Sequence, residues 1–113
     1  MSSSPFEDLA NLDRLVHDPS RLAILTTLEA CEEADFTFLQ HVTKLTRGNL
    51  SSHLMKLEEA GLISVIKGYV NRRPNTSFRL TASGTDAIER HWKQLDTLRK
   101  RSKKWRRTGA GDP

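Results

Sequence analysis

The spacing of apolar side chains changes partway along this chain, and that change limits the folds open to it. Up to Gly61 they return every three or four positions, the mark of helices buried on one face; over residues 63–80 they return every second position, the mark of strands. Ile63, Val65 and Lys67 alternate with Ser64 and Ile66, and Phe78 and Leu80 alternate with Ser77 and Arg79. Between them, Gly68 to Thr76 has the composition of a hairpin loop. Helical spacing returns after Thr81. The chain is therefore mainly α, with one small β-hairpin late in the sequence.

The helices can be bounded from their ends. Phe6, Leu9, Leu12, Leu15 and Val16 predict a helix over 6–16, with acids in its first turn. Asp18-Pro19 is a helix start, with Asp as the cap and Pro at the first helical position. That helix runs to about Cys31, with Leu22, Ile24, Leu25 and Leu28 inward. Glu32-Glu33-Ala34-Asp35 reads as an acidic loop. Asp35 or Thr37 caps a third helix carrying Phe38, Leu39, Val42 and Leu45, with a short strand around Phe36 as the other option. Thr46 caps a fourth, with Leu50, Leu54 and Leu57 on one stripe. Gly61 suits the left-handed position past its end, and Leu62 folds back onto the last turn. Thr81 or Ser83 opens a long final helix with Ala87, Ile88, Trp92, Leu95, Leu98 and Trp105 on one side. Two short helices followed by a basic-tipped hairpin make a winged helix-turn-helix. Residues 1–5 read as a disordered arm, 6–98 as the domain, and 99–113 as a basic helix end and tail.

At 113 residues the chain holds one domain. It has no apolar run of 18 residues, so no membrane span is expected. Its first residues lack a basic start and an apolar stretch, so no secretory signal is expected. The single cysteine, Cys31, makes neither an internal disulfide nor a thiolate zinc cage, and a cytoplasmic location is the expectation. The net charge of +4 is unevenly placed: −6 over residues 1–43, +5 over 44–80, −1 over 81–98 and +6 over 99–113. Such segregation suits a polyanion met by one face of the molecule.

Three fragments carry a family resemblance. Asp18-Pro19-Ser20-Arg21-Leu22-Ala23-Ile24-Leu25 resembles the entry helix of ArsR-like winged-helix repressors. Leu45-Thr46-Arg47-Gly48-Asn49-Leu50-Ser51-Ser52-His53-Leu54, continuing through Leu57-Glu58-Glu59-Ala60-Gly61-Leu62, is similar to their recognition helix. Arg72-Arg73-Pro74 with Phe78-Arg79-Leu80-Thr81 resembles the wing and its return strand. The whole is most similar to short ArsR/MarR-like regulators of bacteria and archaea, over roughly residues 9–98. Two departures stand out. The helix-turn-helix turn is Thr43-Lys44-Leu45, where many such motifs carry Gly. The paired cysteines of metal-sensing members are replaced by Ala34-Asp35-Phe36-Thr37-Phe38-Leu39.

With the Leu50/Leu54/Leu57 stripe inward, Gly48, Ser52, Met55 and Glu59 fall near the opposite face, flanked by Asn49, Ser51 and Lys56. Small polar groups let a helix approach base edges, and Arg47 and Lys56 reach phosphates or guanine. The DNA-binding candidates are Thr46, Arg47, Gly48, Asn49, Ser51, Ser52 and Lys56 on the helix and Lys67, Asn71, Arg72 and Arg73 on the wing. Taken alone, the helix could equally be a solvated face and the wing a solubilising loop; together they favour DNA. The tail Arg99–Arg107 either adds non-specific affinity or is a solvated helix end, and Trp105 reads as packing on a partner helix, with stacking on a base as the alternative.

The related regulators are dimers, which implies an interface through Phe6, Leu9, Leu12, Ile88, Trp92, Leu95 and Leu98; the last four step by four, three and three, like a heptad seam. Of the histidines, His53 is expected to edge the recognition helix's buried face, and no pair of His17, His41, His53 and His91 has metal-ligand spacing. Cys31 reads as a small apolar residue, with a redox thiol as the alternative. No cofactor, metal or enzymatic constellation is expected; an effector between the dimer helices remains open, since no residue set identifies one. The expected function is sequence-specific binding of double-stranded DNA, repressing transcription as a homodimer on a palindromic operator. The rival is a winged helix used for protein contacts.

Overall fold

The computed structural model describes residues 4–105. The elements are α1 (Pro5–Ala10), α2 (Pro19–Cys31), β1 (Glu33–Asp35), α3 (Phe36–Thr43), α4 (Arg47–Glu59), β2 (Ile63–Val70), β3 (Arg73–Leu80) and α5 (Ala82–Lys104). The fold is mainly helical with a three-stranded antiparallel sheet in the order β1-β3-β2. Each helix starts on the same device, a side-chain oxygen that accepts an otherwise orphaned backbone N–H. Ser4, Asp18, Asp35, Thr46 and Thr81 accept from Glu7, Arg21, Phe38, Asn49 and Gly84.

The core joins α2, α3, α4, the sheet and the first half of α5. Ile24, Leu25, Leu28, Leu39, Leu50, Leu57 and Ile88 are fully buried. Gly61 takes the left-handed conformation at φ 76°. Just beyond it, the Leu62 carbonyl accepts from the Thr81 N–H at 3.0 Å, while the Thr81 hydroxyl donates to the Gly61 carbonyl at 2.6 Å. These bonds fasten the start of α5 to the end of α4. Gly84 lies so close that a Cβ there would run into the Leu62 carbonyl.

The structure corrects several expectations. The helix expected over 6–16 ends at Ala10: the Asn11 amide bonds back to the Glu7 carbonyl at 2.9 Å, and an Asp13 carboxylate oxygen accepts from the Leu15 N–H. These local bonds compete with the helical ladder. Leu12 and Val16 are buried nonetheless, delivered by an irregular segment. Ser4 and Pro5, expected in a disordered arm, begin α1, and Pro5 is buried; the rest of that arm, residues 1–3, lies outside the described residues, as do 106–113 of the tail. Glu33–Asp35, expected as loop, is β1, because its backbone completes the open edge of β3. In α3 only Leu39 is buried, while Phe38 and Val42 are exposed and Phe36 packs on the core instead. Starting the helix at Phe36 turns Phe38 and Val42 outward. Among the described residues no helix is long and apolar enough to cross a membrane.

Candidate nucleic-acid interface

The turn before α4 works without glycine. Lys44 adopts the left-handed conformation at φ 60°, ψ 19°, and its N–H bonds to the Gln40 carbonyl at 2.9 Å. The Thr43 hydroxyl donates to the Leu39 carbonyl at 2.6 Å, tying the turn to α3. Thr46 then caps α4, and Leu50, Leu54 and Leu57 anchor it in the core. The candidates Thr46, Arg47, Gly48, Asn49, Ser51, Ser52 and Lys56 are all exposed. A Cβ built on Gly48 would meet nothing within 4 Å, so the packing of the described residues gives no reason for glycine there. What glycine leaves at that point is a low, open spot on the helix.

The wing is longer and its tip tighter than its composition suggests. β2 and β3 pair continuously from Ile63↔Leu80 to Val70↔Arg73, which leaves a two-residue turn rather than the expected loop over 68–76. Asn71 and Arg72 sit at φ 53° and 67°, as a type I′ turn requires. Pro74, expected in the loop, lies in β3 and pairs with Tyr69 where β3 has no second neighbour, a position that tolerates a missing N–H. Lys67, Asn71, Arg72 and Arg73 are exposed.

Helix and wing border one cleft of about 710 Å³. Arg47, Gly48, Ser51 and Met55 face it from α4, and Pro74, Asn75 and Thr76 from β3. The Arg47 guanidinium lies over the Phe36 ring, 5.4 Å from its centroid, which holds the charge at the cleft's edge. Four ion pairs are formed among the described residues, and none engages Arg47, Lys56, Lys67, Arg72 or Arg73. These cations are exposed and held by no side-chain ion pair among the described residues, although one carboxylate, Glu58, also lines the cleft.

Behind α4 lies a polar cluster that local sequence does not signal. The Arg21 guanidinium donates to the carbonyls of Leu15 (2.6 Å) and Arg14 (3.0 Å) and to His53 Nδ1 (3.1 Å). His53, expected at the edge of the buried face, is half-buried on that edge. Burial alone would raise the Asp18 pKa. The Arg21 N–H and guanidinium, with the Ser20 N–H, outweigh it and hold the carboxyl below its ordinary value. Farther away, His17 and His91, distant in sequence, bring their rings to 5.2 Å. Among the described residues no group of three or more His, Cys, Asp or Glu is placed to hold a metal ion. Cys31 is exposed rather than packed as an apolar residue, because it lies in the last turn of α2 beyond the buried stripe.

The residues expected to form a dimer seam divide into two groups. Leu12, Ile88 and Leu98 are buried within their own chain and have no surface left for a partner. Phe6, Leu9 and Trp92 stay 51%, 37% and 44% exposed, and Leu95 is half-buried. Trp105 packs edge-on against Phe6 of the same chain, with centroids 5.7 Å apart. The Arg101 guanidinium donates to an Asp8 carboxylate oxygen at 2.8 Å, so α1 is fixed to the last turns of α5.

Residues 20–98 match the family described as a winged helix DNA-binding domain. An uncharacterized protein of Methanocaldococcus jannaschii is 34% identical over 80 residues, covering 71% of this chain and 87% of its own. The structure of a transcriptional regulator homologue from Pyrococcus horikoshii OT3 superposes with a TM-score of 0.76 at 29% identity, over 85% of this chain and 94% of that one. The transcriptional repressor CouR, solved bound to a 23-mer DNA duplex, shares the fold with a TM-score of 0.65 at 22% identity, over 84% of this chain and 71% of its own.

Proposed function

Because the chain belongs to the winged helix DNA-binding family, we propose that it binds double-stranded DNA sequence-specifically and represses transcription by occupying promoters as a homodimer. The observation that carries this reading is the cleft between α4 and the wing, where Arg47, Gly48 and Ser51 lie opposite Pro74, Asn75 and Thr76, and where the exposed cations of both elements have no ion-pair partner among the described residues. In it, Asn49, Ser51 and Ser52 meet base edges in the major groove, and Thr46 and the open spot at Gly48 allow close approach. Arg47 and Lys56 hold phosphates on either side. Lys67, Asn71, Arg72 and Arg73 carry the wing along the backbone or into the minor groove, where negative potential favours arginine. The protein acts in the cytoplasm, on the nucleoid, and its basic end beyond Leu98 adds affinity without selectivity.

The dimer forms through the exposed Phe6, Leu9 and Trp92 and the half-buried Leu95, the part of the expected seam not buried within the chain. A two-fold dimer presents two recognition helices to one side of the duplex, so the operator is a palindrome with half-sites roughly 34 Å apart. A small-molecule effector acting between the dimer helices fits the same arrangement. The test is selection of duplexes from a random-sequence library by the purified protein, followed by footprinting and sizing. Enrichment of one palindromic site, bound by two chains, supports the reading. Enrichment of no sequence, with only salt-sensitive binding to any duplex, overturns it in favour of a protein-contact module.

A further inference from the structure

Arg21 uses every nitrogen of its side chain, and it does so across three separate segments. Its own backbone N–H donates to Asp18 Oδ1 at 2.9 Å, and Nη2 lies 3.7 Å from Asp18 Oδ2. Nε and Nη2 donate to the carbonyls of Leu15 and Arg14 in the irregular segment that leads out of α1. Nη1 donates to Nδ1 of His53 in α4, 3.1 Å away. The side chain is only 11% exposed. A guanidinium has no lone pair, so His53 Nδ1 is the acceptor and the neutral ring carries its proton on Nε2. The planar fork cannot swivel toward one partner without losing the others; a lysine ammonium at this position could not reach all three in one geometry.

His53 follows Leu50 by three residues and Asn49 by four, so it lies on the flank of α4 that runs up to the exposed face. The leucine stripe holds α4 against the core, yet apolar contacts are non-directional and tolerate small rotations about the helix axis. Side-chain tips stand about 5–6 Å from that axis, so a 10° roll displaces them by about 1 Å. That is well beyond what a base-edge hydrogen bond tolerates. A phosphate contact made by a long flexible cation absorbs the same displacement.

We propose that Arg21 is a positioning residue for base reading: through His53 it fixes the roll of α4 relative to the segment that joins α1 to α2. This rests on the DNA-reading role proposed above and assigns within it a residue that touches no DNA. The consequence is a separation of readouts. Loosening the clamp lowers discrimination between duplexes and leaves general affinity for DNA in place, whereas loss of folded protein lowers both together.

The experiment compares full-length variants on two duplexes, the one selected by the wild-type protein and one of scrambled sequence. Arg21→Met keeps the apolar stem and removes the fork; Arg21→Lys keeps the charge. Both are expected to reduce the selected-to-scrambled affinity ratio about tenfold, with scrambled-duplex affinity essentially unchanged. His53→Leu should do the same, and His53→Asn, whose amide oxygen can stand in for Nδ1, should restore most of the ratio. Combined Arg21→Met and His53→Leu should cost no more than either alone, as one shared interaction requires. If Arg21→Met does not fold, His53→Leu and its Asn rescue decide the matter, since His53 is half-exposed. A ratio unchanged in His53→Leu, a parallel fall on both duplexes, or additive losses in the double variant each overturns the clamp while leaving DNA reading intact. A wild-type protein that prefers no duplex overturns the DNA reading itself, and Arg21's part with it.

Discussion

In the body formed by α2, α3, α4 and the sheet, Ile24, Leu25, Leu28, Leu39, Leu50 and Leu57 are sealed from solvent. In the arm formed by α1 and the far half of α5, six residues of helix lie on a long partner, and Phe6, Leu9 and Trp92 remain in contact with water. The body's burial closes within one chain. Among the described residues, the arm is held by a T-shaped aromatic contact, the Asp8–Arg101 ion pair and the buried Leu12 and Leu98. The difference lies in how far each region closes on its own residues. A reading surface must keep its shape before it meets DNA, and it rests on the self-sufficient body. The arm carries the exposed apolar groups through which the proposed dimer would form.

The sharpest way to break this contrast is to empty the body. Leu57→Ala removes a fully buried anchor of α4 and should cost about 2–5 kcal/mol of unfolding free energy, measured by denaturant titration. DNA binding should fall with the folded fraction. If the loss is under about 1 kcal/mol, the body is not the closed unit described here. In the arm, Phe6→Ala with Trp92→Ala should act on association instead. Sedimentation should show the affinity of the proposed dimer reduced by about tenfold or more, with the circular dichroism of the helical body retained.

The junction between the two regions should respond to pH. His91 is buried, and its Nε2 has no hydrogen-bond partner among the described residues. Burial first and the neighbouring His17 second lower its pKa, against an opposing pull from Asp13. A lowered histidine pKa means the unfolded chain takes up a proton that the folded chain resists. This contribution to stability is therefore complete above the ordinary value of about 6.5 and is lost as pH falls below it toward the folded value. Thermal midpoints should decline over that acid range, and His91→Leu should flatten the decline. The smallest effect belongs to the ion pair. Asp8→Asn should change stability by less than about 1 kcal/mol, and added salt should shrink the change further.

Much of the body was legible in the sequence because its signals are local. Asp18-Pro19, Thr46 and Gly61 mark helix ends through groups only a few residues away, and the leucine stripe of α4 is a matter of spacing. The exposure of the α4 candidates follows from that stripe by geometry alone. What escaped depends on partners far along the chain. The extent of the wing is set by the pairing of β2 with β3, and β1 exists because Glu33–Asp35 meets residues 77–79. The clamp of Arg21 spans residues 14, 15 and 53, and no local pattern encodes it. The length of α1 was overstated because Leu12 and Val16 keep helical spacing without helical backbone.

The bracing of the hairpin has a mechanical consequence. β1 supports β3 only at Ser77–Arg79, so from Lys67 to Thr76 the wing is two strands wide and open on both edges. It is a cantilever: its root is fixed in the core by Ile63 and Phe78, and its tip at Asn71-Arg72 stands about 17 Å beyond Val65. A 5° tilt at the root would swing the tip by about 1.5 Å over that length. In the proposed complex, that compliance would let Arg72 and Arg73 follow a DNA backbone of varying groove width while α4 holds still.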